Sequence, residues 1–132
     1  SVTHNLQDFN KLVHPENNLK KTLSKIQGRK IIYTNAPKTY TNKILKISKI
    51  FELFDEIFTI EDSNFIPKPD QGMMDTFLKK YNISEGFFID DVKENLFTAK
   101  NSGLTTIWIT NEKNQPSFID KKIEKISDLL SL

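Results

Sequence analysis

Four short apolar runs, Lys30–Tyr33, Ile57–Ile60, Phe87–Ile89 and Thr105–Ile109, alternate with amphipathic stretches along most of this chain. Runs this short, bounded by turn residues and separated by segments of helical period, fit strands buried on both faces. That is the pattern of a parallel α/β sheet. Between them, Ile44, Ile47, Phe51 and Phe54 mark one face of a helix starting near Lys38, with Pro37 suited to its first turn. Met74, Phe77, Leu78 and Tyr81 stripe a second helix. Val92, Leu96 and Ala99 stripe a third, which Gly103 ends. Ile119, Ile123, Ile126 and Leu130 predict a closing helix. The first 29 residues differ, being polar and helix-prone, with Leu19, Leu23 and Ile26 at helical spacing ahead of Gly28.

A chain of 132 residues suffices for one hydrophobic core and is short for two. Ten phenylalanines and a near-balanced charge of +2 fit a packed domain rather than a disordered one. The same balance argues against nucleic acid as a partner, which would call for a clustered basic excess. With no cysteine, disulfides and thiolate zinc sites are excluded. His4 and His14 form no spaced ligand set. No apolar run approaches the roughly 20 residues that a bilayer span needs. The expectation is a soluble cytoplasmic protein without a signal peptide or membrane partner.

In a doubly wound sheet, ligands bind where the carboxyl ends of strands turn into helices. Three polar elements fall there: Thr34-Asn35, Lys68 and Asp90-Asp91. Asn35 is a good helix N-cap, while the Thr34 hydroxyl and the N–H groups of that turn can also hold a phosphate. Lys68, set between Pro67 and Pro69, is either a solvated loop residue or an ammonium presented on a stiffened backbone. Asp90 and Asp91 repel one another unless a cation lies nearby. One of them can cap the next helix, and a magnesium ion accounts for both. Donor, ammonium and paired acids in one crevice point to phosphate chemistry.

These residues carry a family pattern. From about Arg29 to Ile109 the chain resembles the phosphatase branch of the haloacid dehalogenase superfamily. IIYTN resembles its second motif, PKPD with Lys68 its third, and FFIDDVKEN followed by AKNSGLTTIWI its fourth. GRKIIYTNAPKTY and FELFDEIF are most similar to pyrimidine 5′-nucleotidases. The resemblance implies a three-layer, Rossmann-like α/β core (residues 29–132) and a Mg2+-dependent phosphomonoesterase whose substrate is a small phosphorylated metabolite, a nucleotide above all. It implies that an aspartate attacks phosphorus and that water hydrolyses the aspartyl-phosphate. Thr34 and Asn35 would hold phosphoryl oxygens, Lys68 would neutralise developing charge, and Asp91, with Asp90 beside it, would bind the metal.

One motif is not found. The family's first motif, two aspartates one residue apart followed by Thr, has no counterpart here. Asp8 has no apolar strand before it, and Asp55 lies in a helix-to-strand turn. The expectation is a sheet lacking its first, central strand, with a gap between Ile31–Tyr33 and Phe87–Ile89. Residues 1–28 would then be the remainder of a helical cap, the preceding segment would be missing from the chain, and the chain alone would be inactive. A non-catalytic phosphate- or metal-binding module of the same fold is the alternative. A phospho-receiver domain fits poorly, because its acidic pair comes first in the chain and this one comes last.

Overall fold

The computed structural model describes residues 2–3 and 18–132. Its strands are β1 (Val2–Thr3), β2 (Ile31–Tyr33), β3 (Glu56–Phe58), β4 (Phe87–Asp90), β5 (Thr105–Ile109) and β6 (Lys121–Ile123). Its helices are α1 (Leu19–Lys25), α2 (Lys38–Ile47), α3 (Gln71–Lys80) and α4 (Lys93–Asn101), with 3-10 turns at Phe51–Leu53 and Ile126–Ser131. The strands form a single sheet in the order β3-β2-β1-β4-β5-β6, and each pair is parallel.

Side chains alternate across each strand and so build two cores, one per face. Ile32, Ile89, Ile107 and Ile109 point to the face covered by α1, α2 and the last 3-10 turn, where Leu19, Leu23, Leu45 and Ile126 meet them. Ile31, Tyr33, Phe88 and Trp108 point the other way, onto Met74, Phe77, Leu96 and Ala99 of α3 and α4. Tyr33, Phe58 and Phe77 pack ring on ring, with centroids 4.5–5.2 Å apart. The parallel α/β sheet expected from the apolar runs is therefore observed, with the helices on both faces that the family resemblance implies. Among the described residues no helix is long and apolar enough to cross a membrane.

The expected gap at the centre of the sheet is filled. β1 pairs with β2 through Val2 opposite Ile32 and Thr3 opposite Tyr33, and with β4 through Val2 opposite Ile89. As anticipated, β2 and β4 do not pair with each other; the lane between them holds the chain's own residues. Two facing rows of backbone donors and acceptors are a template for any extended segment. Val and Thr, both β-branched, suit that backbone. The cap expected over residues 1–28 lies mostly outside the described residues, and its two described elements belong to the core instead: β1 lies within the sheet, and α1 buries Leu19 and Leu23 in the domain core.

Two other expectations are corrected. The helix read through Phe51 and Phe54 stops at Ile47, because Lys49 takes a left-handed conformation (φ 60°) that turns the chain into the short 3-10 segment. The closing helix read from Ile119 to Leu130 is instead β6 followed by a 3-10 turn. An unpaired β5 edge gains a ladder from Lys121–Ile123. The Asp120 carboxylate fixes the approach by accepting from the Thr106 N–H at 2.8 Å and from Lys100 Nζ at 2.9 Å. Those bonds hold its carboxyl below the usual range, the Thr106 N–H contributing most.

Candidate active site

The carboxyl ends of β2 and β4 bring the predicted residues together. Thr34 follows β2, Asp90 ends β4, and Lys68 reaches between them from the loop that joins β3 to α3. Lys68 Nζ lies 3.2 Å from Asp90 Oδ2 and donates to the Tyr33 carbonyl at 2.9 Å. Both charged side chains are wholly buried. Lys68 is thus not a solvated loop residue. Its ammonium stands at the foot of the crevice, paired with one of the two acids, and 5.2 Å from the centre of the Tyr33 ring.

Asn35 does not cap α2. The N-cap position is Pro37, and the Lys38 N–H is taken by the Glu61 carboxylate at 2.9 Å. That bond is the largest cause of a Glu61 pKa below the ordinary carboxylate range. Freed from capping, the Asn35 amide clasps the Lys68 backbone. Its Oδ1 accepts from the Lys68 N–H at 2.8 Å, and its Nδ2 donates to the Lys68 carbonyl at 3.4 Å. The Thr98 hydroxyl donates to the Pro69 carbonyl at 2.8 Å and anchors the other side of the loop. Lys68 is therefore held from both flanks, which is how a flexible side chain becomes a preorganised cation.

At Thr34 the N–H is committed to the Phe58 carbonyl, and the hydroxyl oxygen accepts from the Ala36 N–H at 3.1 Å. The hydroxyl hydrogen and the Asn35 N–H are the donors this turn can offer a ligand. Asp90, fully buried, receives the Val92 N–H on Oδ1 at 2.9 Å. On Oδ2 it receives the Asn95 amide at 3.1 Å as well as Lys68. Asp91 is the more exposed of the pair, and its backbone carbonyl accepts from the Trp108 indole at 3.0 Å.

Asn95 and Trp108 were not singled out from sequence. Asn95 falls one helical turn past the acidic pair, a spacing that returns its amide to Asp90 and was the available signal. Trp108 had none, because its contact with Asp91 arises only when β5 pairs with β4. Tyr33 packs beneath the crevice, where burial, and secondarily Asp70, push its hydroxyl well above the usual tyrosine pKa.

The donor chemistry fits a hard cation. Magnesium takes one or two carboxylates and fills its remaining positions with water and phosphate oxygens. Asp90 and Asp91 supply two adjacent carboxylates, and no group of three or more potential ligands gathers among the described residues. A cavity of about 690 Å³ lies at the opposite edge, among the strand starts at Arg29, Lys30, Gly86, Phe87 and Lys121. It contains none of these polar groups and is not the site of this chemistry.

A family model described as haloacid dehalogenase-like hydrolase matches residues 1–109. The chain belongs to the haloacid dehalogenase-like hydrolase family. Solved structures share the fold. A dehalogenase captured as an intermediate complex aligns with a TM-score of 0.77 and 20% identity over 88% of this chain and 55% of its own. A haloacid dehalogenase-family phosphatase from Thermococcus onnurineus aligns at 0.73 and 21% identity over 93% of this chain and 63% of its own. A hydrolase of the family from Bacillus subtilis, bound to magnesium, aligns at 0.75 and 21% over 95% and 59%. This haloacid dehalogenase-like chain thus spans roughly three-fifths of the length of these structures. No curated protein sequence matches it.

Proposed function

We propose that this chain carries the phosphate- and metal-binding half of a Mg2+-dependent phosphomonoester hydrolase acting through an aspartyl-phosphate, with a nucleoside 5′-monophosphate as substrate. The observation that carries the reading is the buried Lys68–Asp90 pair beside Asp91 at the ends of β2 and β4. A dianionic phosphate entering a crevice that already holds two carboxylates needs cationic compensation. Displacement of halide from carbon involves no such concentration of charge, so the acid pair favours phosphoryl over dehalogenase chemistry.

In this reading the Thr34 hydroxyl and the Asn35 N–H hold two phosphoryl oxygens. Lys68 neutralises charge as the phosphoryl group moves, and its position is fixed by Asn35 and the Tyr33 carbonyl. Asp91 binds the metal directly, while Asp90 orients Lys68 and Asn95. Magnesium, when bound, would screen the phosphate and align it for attack. The nucleotide preference rests on the resemblance of GRKIIYTNAPKTY and FELFDEIF to pyrimidine 5′-nucleotidases.

The family's nucleophilic aspartate belongs at the end of the strand between β2 and β4. Here that lane holds Val2–Thr3, and the first carboxylate after Thr3 in the sequence is Asp8. Purified 1–132 is therefore expected to show no hydrolysis of p-nitrophenyl phosphate above background in MgCl2. Turnover that disappeared in Asp91→Asn would show that the chain does supply a nucleophile. The shortage of a carboxylate also favours a second reading, a non-catalytic module that binds phosphate and metal. The two separate on turnover by the parent protein: Mg2+-dependent phosphomonoester hydrolysis that is lost in Asp91→Asn supports the hydrolase, and metal-dependent phosphate binding without turnover supports the module.

A further inference from the structure

The chain's single tryptophan sits on β5, buried against α4, yet its polar edge is not directed at the core. The indole Nε1 donates to the Asp91 backbone carbonyl at 3.0 Å. That carbonyl and the Val92 N–H belong to one peptide group, which is planar and rigid. The Val92 N–H in turn donates to Asp90 Oδ1 at 2.9 Å. One peptide plane is thus held at both ends, by Trp108 on its oxygen and by the Asp90 carboxylate on its hydrogen. Donation to a carbonyl polarises the N–H on the same amide and strengthens the bond that N–H makes.

The arrangement is braced from outside. Lys93 Nζ, from the first residue of α4, lies 5.5 Å from the centre of the Trp108 ring. Trp108 is also the β5 partner directly opposite Asp90 in the ladder. The ring therefore has little room to rotate, and the direction of its N–H is fixed by the sheet.

We propose that Trp108 is a positioning residue for the acidic pair: through the Asp91–Val92 peptide it sets the orientation of the Asp90 carboxylate and the turn that presents Asp91. The proposal rests on the reading of Asp91 as the metal ligand and of Asp90 as the carboxylate that orients Lys68. It adds a residue that touches neither metal nor phosphate. Partners at this remove typically change metal affinity by a factor of 10–100.

Trp108→Phe keeps an aromatic ring in the core and removes the N–H together with the five-membered half of the indole. Calorimetric titration of the full chain with MgCl2 should show about tenfold weaker binding in the variant. The Val92 amide proton should move upfield in the metal-free variant, as its bond to Asp90 weakens. Unchanged Mg2+ affinity together with an unmoved Val92 amide overturns the proposal. Wild-type protein that takes up no Mg2+ counts against the metal reading, and the Val92 amide then decides the positioning role by itself. Should Trp108→Phe fail to fold, the wild-type indole N–H gives a single resonance that can be followed directly. It should be protected from exchange and shift as MgCl2 is added, and an indole resonance that exchanges freely or ignores bound Mg2+ refutes the role.

Discussion

A Lys68→Met variant is expected to lose roughly 3–5 kcal/mol of folding stability, read as a lower urea midpoint at unchanged slope. Methionine keeps most of the stem volume, so little of that loss comes from a cavity. The loss arises at Asp90. With Lys68 gone, a fully buried carboxylate retains the Val92 and Asn95 donors but no cation. The Tyr33 carbonyl loses the ammonium that it accepts from. Removing one partner of a buried pair costs far more than the pair is worth as a whole. It follows that Asp90→Asn, added to Lys68→Met, should recover part of the loss, because no charge is then left uncompensated. A single-variant loss under about 1 kcal/mol, the range of exposed ion pairs, would contradict the buried pair.

The second large effect concerns β1. Val2→Pro deletes an N–H in a strand paired on both sides, a place where proline is essentially not found. A drop of roughly 3 kcal/mol is expected from the lost ladder bond, the partner carbonyl left unsatisfied and the loosened lane. The variant should also aggregate more readily, since the edges of β2 and β4 become accessible. Urea denaturation and light scattering measure both. A variant matching the parent in both assays would mean that Val2–Thr3 do not close the sheet.

Several elements were legible in the sequence because their signal is local. The run Thr105–Ile109 is the observed β5, and the stripes at Met74–Tyr81 and Val92–Ala99 are α3 and α4. Thr34, Asn35, Lys68 and Asp90 could be placed at one edge because parallel strands send their carboxyl ends the same way. Other features depend on partners that no local pattern names. Ile119, Ile123, Ile126 and Leu130 satisfy a helical period, but the open edge of β5 draws Lys121–Ile123 into a strand. Val2–Thr3 is too short to give any period, and only the vacant lane between β2 and β4 makes it a strand. Asn35 had the chemistry of a cap, and its use as a clasp on Lys68 needs a residue 33 positions away. The clustering at the strand ends was thus readable, while the bonds that fix each group were set by tertiary pairing.

The central claim is that Thr34, Asn35, Lys68, Asp90 and Asp91 form one site for phosphate and a divalent cation. Calorimetric titration of the full chain with inorganic phosphate, in MgCl2 and then in EDTA, tests it most directly. Binding that requires MgCl2 and is lost in Asp91→Asn is the predicted result. Phosphate affinity indifferent both to MgCl2 and to Asp91→Asn would contradict it.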